Sequence, residues 1–153
     1  MEVGLVFAVS LRQPVADLLV LGVMDAFEGY GRTRMSGRIA IHAGLGTDEA
    51  GWLTELWARA PEQGAIAAER ANELAACGHP PGAHKEGCER CQRFGALVGS
   101  VKLVARHVAG SCGGCSPWVD PTKAHWRVTD AEQWPPRAAK GEPQPFPVEP
   151  PDS

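Results

Sequence analysis

The chain has 153 residues, 44% of them hydrophobic, which suits one domain with a buried core and excludes wholesale disorder. Fifteen Lys and Arg against 18 Asp and Glu give a formal charge of −3, which excludes a uniformly basic coat for nucleic acid but not a local basic patch. No apolar run reaches the length of a membrane span, and Met1-Glu2-Val3-Gly4 lacks the basic start of an export signal. The expectation is a cytoplasmic protein with no membrane partner.

In chain order, Leu5 to Val9 is short, apolar and β-prone, and predicts a buried strand. Ser10 as an N-cap and Pro14 in the first turn then predict a helix carrying Val15, Leu18 and Leu19, ended at Gly22. Residues 25–37 are polar and rich in glycine, and Arg32, Arg34 and Arg38 lie close together. A second strand is expected over 38–43, followed by an acidic helix entry at Thr47-Asp48-Glu49. Trp52, Leu53, Leu56 and Trp57 give that helix an apolar, core-facing stripe, and Pro61-Glu62 opens another that ends near Cys77-Gly78. Residues 96–108 alternate well from Val101 on and read as one long strand, and His125-Trp126-Arg127-Val128 starts a fourth. Seven of the 13 prolines follow Trp134. One domain is therefore expected over 1–146, with 147–153 a disordered tail.

Residues 77–93, CGHPPGAHKEGCERCQR, offer almost nothing apolar to bury, so something other than a core must hold them. Thiolates are soft ligands for zinc, and a structural site takes four donors. Cys77, His79, Cys88 and Cys91 supply a local set, with His84 as an alternative nitrogen, and the expected cofactor is a structural Zn²⁺. A second grouping joins Cys88 and Cys91 to the pair Cys112 and Cys115. A straight strand of 13 residues at about 3.3 Å each would hold those two pairs roughly 40 Å apart, which argues against it. Cys112-Gly-Gly-Cys115 is otherwise a redox pair or a flexible turn.

Three further pieces carry a family resemblance. Ala8-Val9-Ser10-Leu11-Arg12-Gln13-Pro14 resembles the opening motif of ASCH (activating signal cointegrator homology) domains, of the PUA-like superfamily. Arg32-Thr33-Arg34, Gly37 and Ile41-His42-Ala43 look like the second motif. Gly95-Ala96-Leu97-Val98-Gly99 and His125-Trp126 resemble two later strands, in the same order. The resemblance covers roughly 5–45 and 95–146. It implies an α+β fold: a PUA-like small β-barrel with flanking helices, here with a zinc-stapled insertion at 77–93, associated with RNA or modified nucleobases.

Departures from the family pattern bear on activity. Val15 stands where a Trp is usual, Met24 where a Lys is usual, and Phe27, Gly29 and Gly31 where Glu, Arg and Trp are usual. Some ASCH proteins resemble amidohydrolases of an acetylated cytidine nucleoside that use a Lys. Met24 can serve neither as base nor as nucleophile, which argues against that route.

Arg12, Gln13, Arg32, Arg34 and Arg38 suit phosphates and base edges, and His42, His125 and Trp126 could line a base pocket. Trp118 is the other indole that could stack a base. Residues 85–127 hold seven Lys and Arg against three Asp and Glu, a local excess of positive charge. The function expected is a binding module for RNA or a modified nucleotide. The alternatives are an enzyme on the same fold, either a nucleoside amidohydrolase or a ribonuclease, and a zinc-stabilised protein-interaction module.

Overall fold

Side-chain alternation at Ala8-Val9 and Ala40-Ile41 divides two strands between the two faces of one sheet. The computed structural model describes residues 5–30, 35–47, 51–75, 92–108 and 115–151. Strand β1 (Val6–Gln13) begins in the expected apolar run but continues through Ser10, which is a ladder residue and not a helix cap. Helix α1 (Val15–Val20) follows Pro14 and has no side-chain cap. Strand β2 (Ala26–Glu28) rises from a stretch whose glycines suggested only a loop. Strand β3 (Arg38–Thr47) runs past the expected end at Ala43, so Thr47 closes a strand and does not open a helix.

Helices α2 (Trp52–Arg59) and α3 (Pro61–Leu74) pack against each other before strand β4 (Ala96–His107), the long strand expected. Strand β5 (His125–Ala138) includes Pro135 and Pro136, which fall where the pairing with β4 shifts between Gly99↔Gln133 and Leu97↔Arg137. Proline has no N–H for the ladder, and a bulge is where that omission costs least. Strand β6 (Phe146–Val148) pairs with the start of β1. The tail read from 147 onward thus includes two ladder residues, Pro147 opposite Phe7 and Val148 opposite Val6.

The strands form one mixed, six-stranded sheet in the order β2-β5-β4-β3-β1-β6, in which β1 and β3 are parallel and the other neighbours antiparallel. The sheet does not close into the expected barrel. Its edges, β2 and β6, are three residues each and lie at opposite ends of the order. The Cys/His-rich insertion lies outside the described residues except for Gln92 and Arg93.

Val9, Ile41, Val98 and Val101 point to the face covered by α1, where Leu18, Leu19, Val20 and Phe27 complete the main core. Burying an aliphatic side chain of this size contributes about 1.5–3 kcal/mol. Ala8, Ala40, Leu97, Trp134 and Phe146 form a smaller cluster on the opposite face. Gly99 permits the close seating of α1, because a Cβ there would lie 2.2 Å from the Glu132 carbonyl oxygen and 2.7 Å from Val20 Cγ1.

Candidate functional site

Among the described residues, those expected to contact nucleic acid lie in several separate places. Arg12 is exposed and lines a cavity of about 160 Å³ with Val15, Met24, Phe27, Glu28, Trp52 and Trp118. Gln13 is fully buried, and its amide donates to Asp17 Oδ1 at 2.9 Å and to the Arg93 carbonyl at 2.8 Å. That side chain ties α1 to the residues leading into β4. Arg38 is exposed and donates to Ser100 Oγ and to the Asp130 carbonyl, each at 2.9 Å. Arg32, Arg34, Cys77, His79, His84, Cys88, Cys91 and Cys112 lie outside the described residues.

His42 lines a second and larger cavity of about 360 Å³ with Ser10, Leu45, Lys140, Gly141 and Glu142. Its Nε2 lies 2.6 Å from the Ala139 carbonyl, which can only accept, so Nε2 carries the proton and Nδ1 accepts from Ser10 Oγ at 2.9 Å. Gly141 packs directly on this pair, since a Cβ there would sit 2.5 Å from Ser10 Oγ and 2.6 Å from His42 Cε1. Both ring nitrogens of His42 are thus committed inside the fold, and among the described residues His42 is the cavity's one aromatic wall.

The smaller cavity has a different chemistry. Phe27, Trp52 and Trp118 give it aromatic walls, Met24 is buried at 3% exposure, and Arg12 and Glu28 bring one guanidinium and one carboxyl group. The Glu28 carboxyl pKa is raised from its ordinary value, first by burial, while Lys123 and Arg59 pull the other way. Trp118 belongs to the segment before β5, which is tied down locally. Ser116 Oγ donates to Asp25 Oδ1 at 2.6 Å and accepts from the Trp118 N–H at 3.2 Å.

His125 is fully buried, and its ring lies beside His107 and Cys115, two side chains of types that can bind a metal. His107, at the end of β4, is its direct partner across the ladder. Their ring nitrogens, His107 Nδ1 and His125 Nε2, are 3.2 Å apart. Cys115 Sγ completes the triangle at 3.2 Å from the first and 3.0 Å from the second. This His/Cys/His group is compatible with a metal site. Sequence reading missed it because His107 gains its significance only from the β4–β5 register, and the one available signal was Cys115 lying between two histidines. Trp126 is buried, and its indole N–H donates to the Tyr30 carbonyl at 3.3 Å.

The chain matches no protein-family model and no curated protein.

Proposed function

We propose that the chain is a binding module for RNA or a modified nucleotide, of the ASCH and PUA-like kind that its sequence resembles, with a base held in the cavity between Trp52 and Trp118. The observation that carries this reading is the pairing of aromatic walls with one guanidinium and one carboxyl group in a single small cavity. Ring faces stack on any base, and the two polar groups supply direction. Arg12 is exposed and suits a phosphate by its forked, permanently charged donor set. Glu28, half-buried and 3.9 Å from Lys123 Nζ, supplies a carboxyl group that can hydrogen-bond a base edge.

Met24 lines the same cavity, at the position where the resemblance places a Lys. An apolar thioether there favours holding a ring over breaking a bond. Zn²⁺ bound by Cys77, Cys88, Cys91 and His79 or His84 belongs to this reading as the staple of the 77–93 insertion, which lacks large apolar side chains between Gly78 and Arg90.

Titration with a short single-stranded RNA and with free nucleosides tests the proposal. Arg12→Ala should weaken RNA binding and lower the slope of log affinity against log salt by about 0.7, as expected for one lost single-strand phosphate contact. Trp52→Ala should weaken binding of both RNA and free nucleoside by about 1–3 kcal/mol, the range for one base–aromatic stack. Unchanged affinities in both variants, or no binding at low salt by the unaltered protein, would overturn it.

A further inference from the structure

We infer that His107, Cys115 and His125 form a divalent metal centre in the reduced protein, and that this centre fixes the Trp118 wall of the cavity. The three donor atoms lie within 3.2 Å of one another and belong to three separate places: the end of β4, the start of β5 and the connection between them. Tetrahedral zinc with ordinary bond lengths needs edges of about 3.3 Å between two nitrogens and about 3.6 Å between nitrogen and sulfur. The nitrogen edge of 3.2 Å matches as it stands. The sulfur edges of 3.0 and 3.2 Å require Cys115 to withdraw by about half an ångström, a small movement for a residue in a connection.

The surroundings of His125 point to the same chemistry. Its Nδ1 lies 3.0 Å from the Lys123 carbonyl, so that nitrogen carries the ring proton and Nε2 turns its lone pair toward His107 and Cys115. A backbone carbonyl fixing the far nitrogen of a ligating imidazole is the usual support of a metal-bound histidine. Two nitrogens and a sulfur suit a borderline ion such as Zn²⁺ over Mg²⁺ or Ca²⁺, which take oxygen.

Cys115 is disulfide-bonded in this structure, and the other four cysteines lie outside the described residues. A metal takes the thiolate, so the centre forms after reduction. A dithiol reductant breaks the S–S bond with two electrons and two protons, yields two thiols, and is itself oxidised to a disulfide. Metal binding then displaces the remaining proton from Cys115 Sγ. Ser116 follows Cys115 directly, donates to Asp25 and accepts from the Trp118 N–H, so pinning Cys115 also pins the cavity wall.

The test is cobalt titration of the full chain under dithiol reduction, read by thiolate-to-metal charge transfer, together with zinc content and the indole N–H signal of Trp118. His107→Asn and His125→Asn should each lower cobalt affinity by at least about tenfold, remove one zinc equivalent and abolish the metal-induced shift of Trp118. His107 is partly exposed at a strand end, so its variant reports even where that of the buried His125 misfolds. Unchanged cobalt binding and zinc content in a folded His107→Asn protein overturns the centre. So does a Trp118 signal indifferent to metal, as regards its role in the cavity. Neither readout involves nucleotide, so failure of the binding proposal leaves this result independent.

Discussion

Asp17 and Arg93 are joined by guanidinium contacts of 2.7 and 2.9 Å, although 76 residues separate them in the chain. Asp17 is fully buried in α1, and Arg70 of α3 reaches the same carboxylate. Gln13 closes the cluster, accepting from the Asp17 N–H at 3.0 Å and donating to Oδ1. One carboxylate thus ties together α1, α3, the end of β1 and the residues leading into β4. A buried carboxylate is tolerated only when its oxygens are filled in this way.

Asp17→Asn should therefore cost about 2–3 kcal/mol of unfolding free energy in urea denaturation. That lies below the range for breaking a fully buried pair because both guanidinium groups reach solvent, at 23% and 24% exposure. A loss under about 0.5 kcal/mol, the level of an ordinary surface substitution, would show that the cluster contributes little.

Glu28 gives a pH prediction. Its carboxyl pKa is raised above the ordinary 4.5 in the folded protein, chiefly by burial. The folded state therefore holds this proton more tightly than the unfolded chain does. The resulting stabilisation is fully present below the unfolded value and is lost as pH rises through the folded value. Glu28→Gln removes that dependence. The stability of the variant relative to the unaltered protein should rise as pH increases from below 4.5 toward neutrality, in parallel denaturation series. A difference that stays flat or falls across that window contradicts the burial of Glu28.

How far the sequence could be read depends on the kind of signal. The strand from Ala96, the helices from Trp52 and from Pro61, and the start of β5 at His125 follow from periodicity and from Pro at a helix entry. Strands β2 and β6 were hidden because three residues carry no period, and because Gly29 and Pro147 are ordinarily breakers. Ser10 looked like a cap, yet its N–H and C=O bond the Tyr30 hydroxyl and its hydroxyl meets His42, partners 20 and 32 residues away. The same limit applies to the site. Arg12 stood out by type and lines the aromatic cavity, whereas Gln13, His42 and His125 stood out by type and are occupied by tertiary contacts. The pairing of His107 with His125 depends on register, which neither residue announces in the sequence.

Met24 bears on catalysis. It is buried and lines the cavity at the position where the ASCH resemblance places a Lys. The purified protein should show no hydrolysis of an acetylated cytidine nucleoside in a product-release assay, and Met24→Lys alone should not create it, since Phe27 and Gly29 stand where the other partners would be. Turnover by the unaltered protein would require a different catalytic group and would remove Met24 from the argument.

The central claim is that a base stacks between Trp52 and Trp118. The chain has five tryptophans, so the five indole N–H signals in a nitrogen–proton correlation spectrum report on five separate places in the fold. Trp57 is exposed, Trp134 belongs to the cluster on the opposite face, and the Trp126 N–H is bonded to the Tyr30 carbonyl. On titration with nucleosides and a short RNA, the account predicts saturable shifts of the Trp52 and Trp118 indoles, with Trp57 and Trp134 unmoved. Saturable shifts confined to residues around His42 and Gly141, or no shift of any indole at saturating RNA, would contradict it.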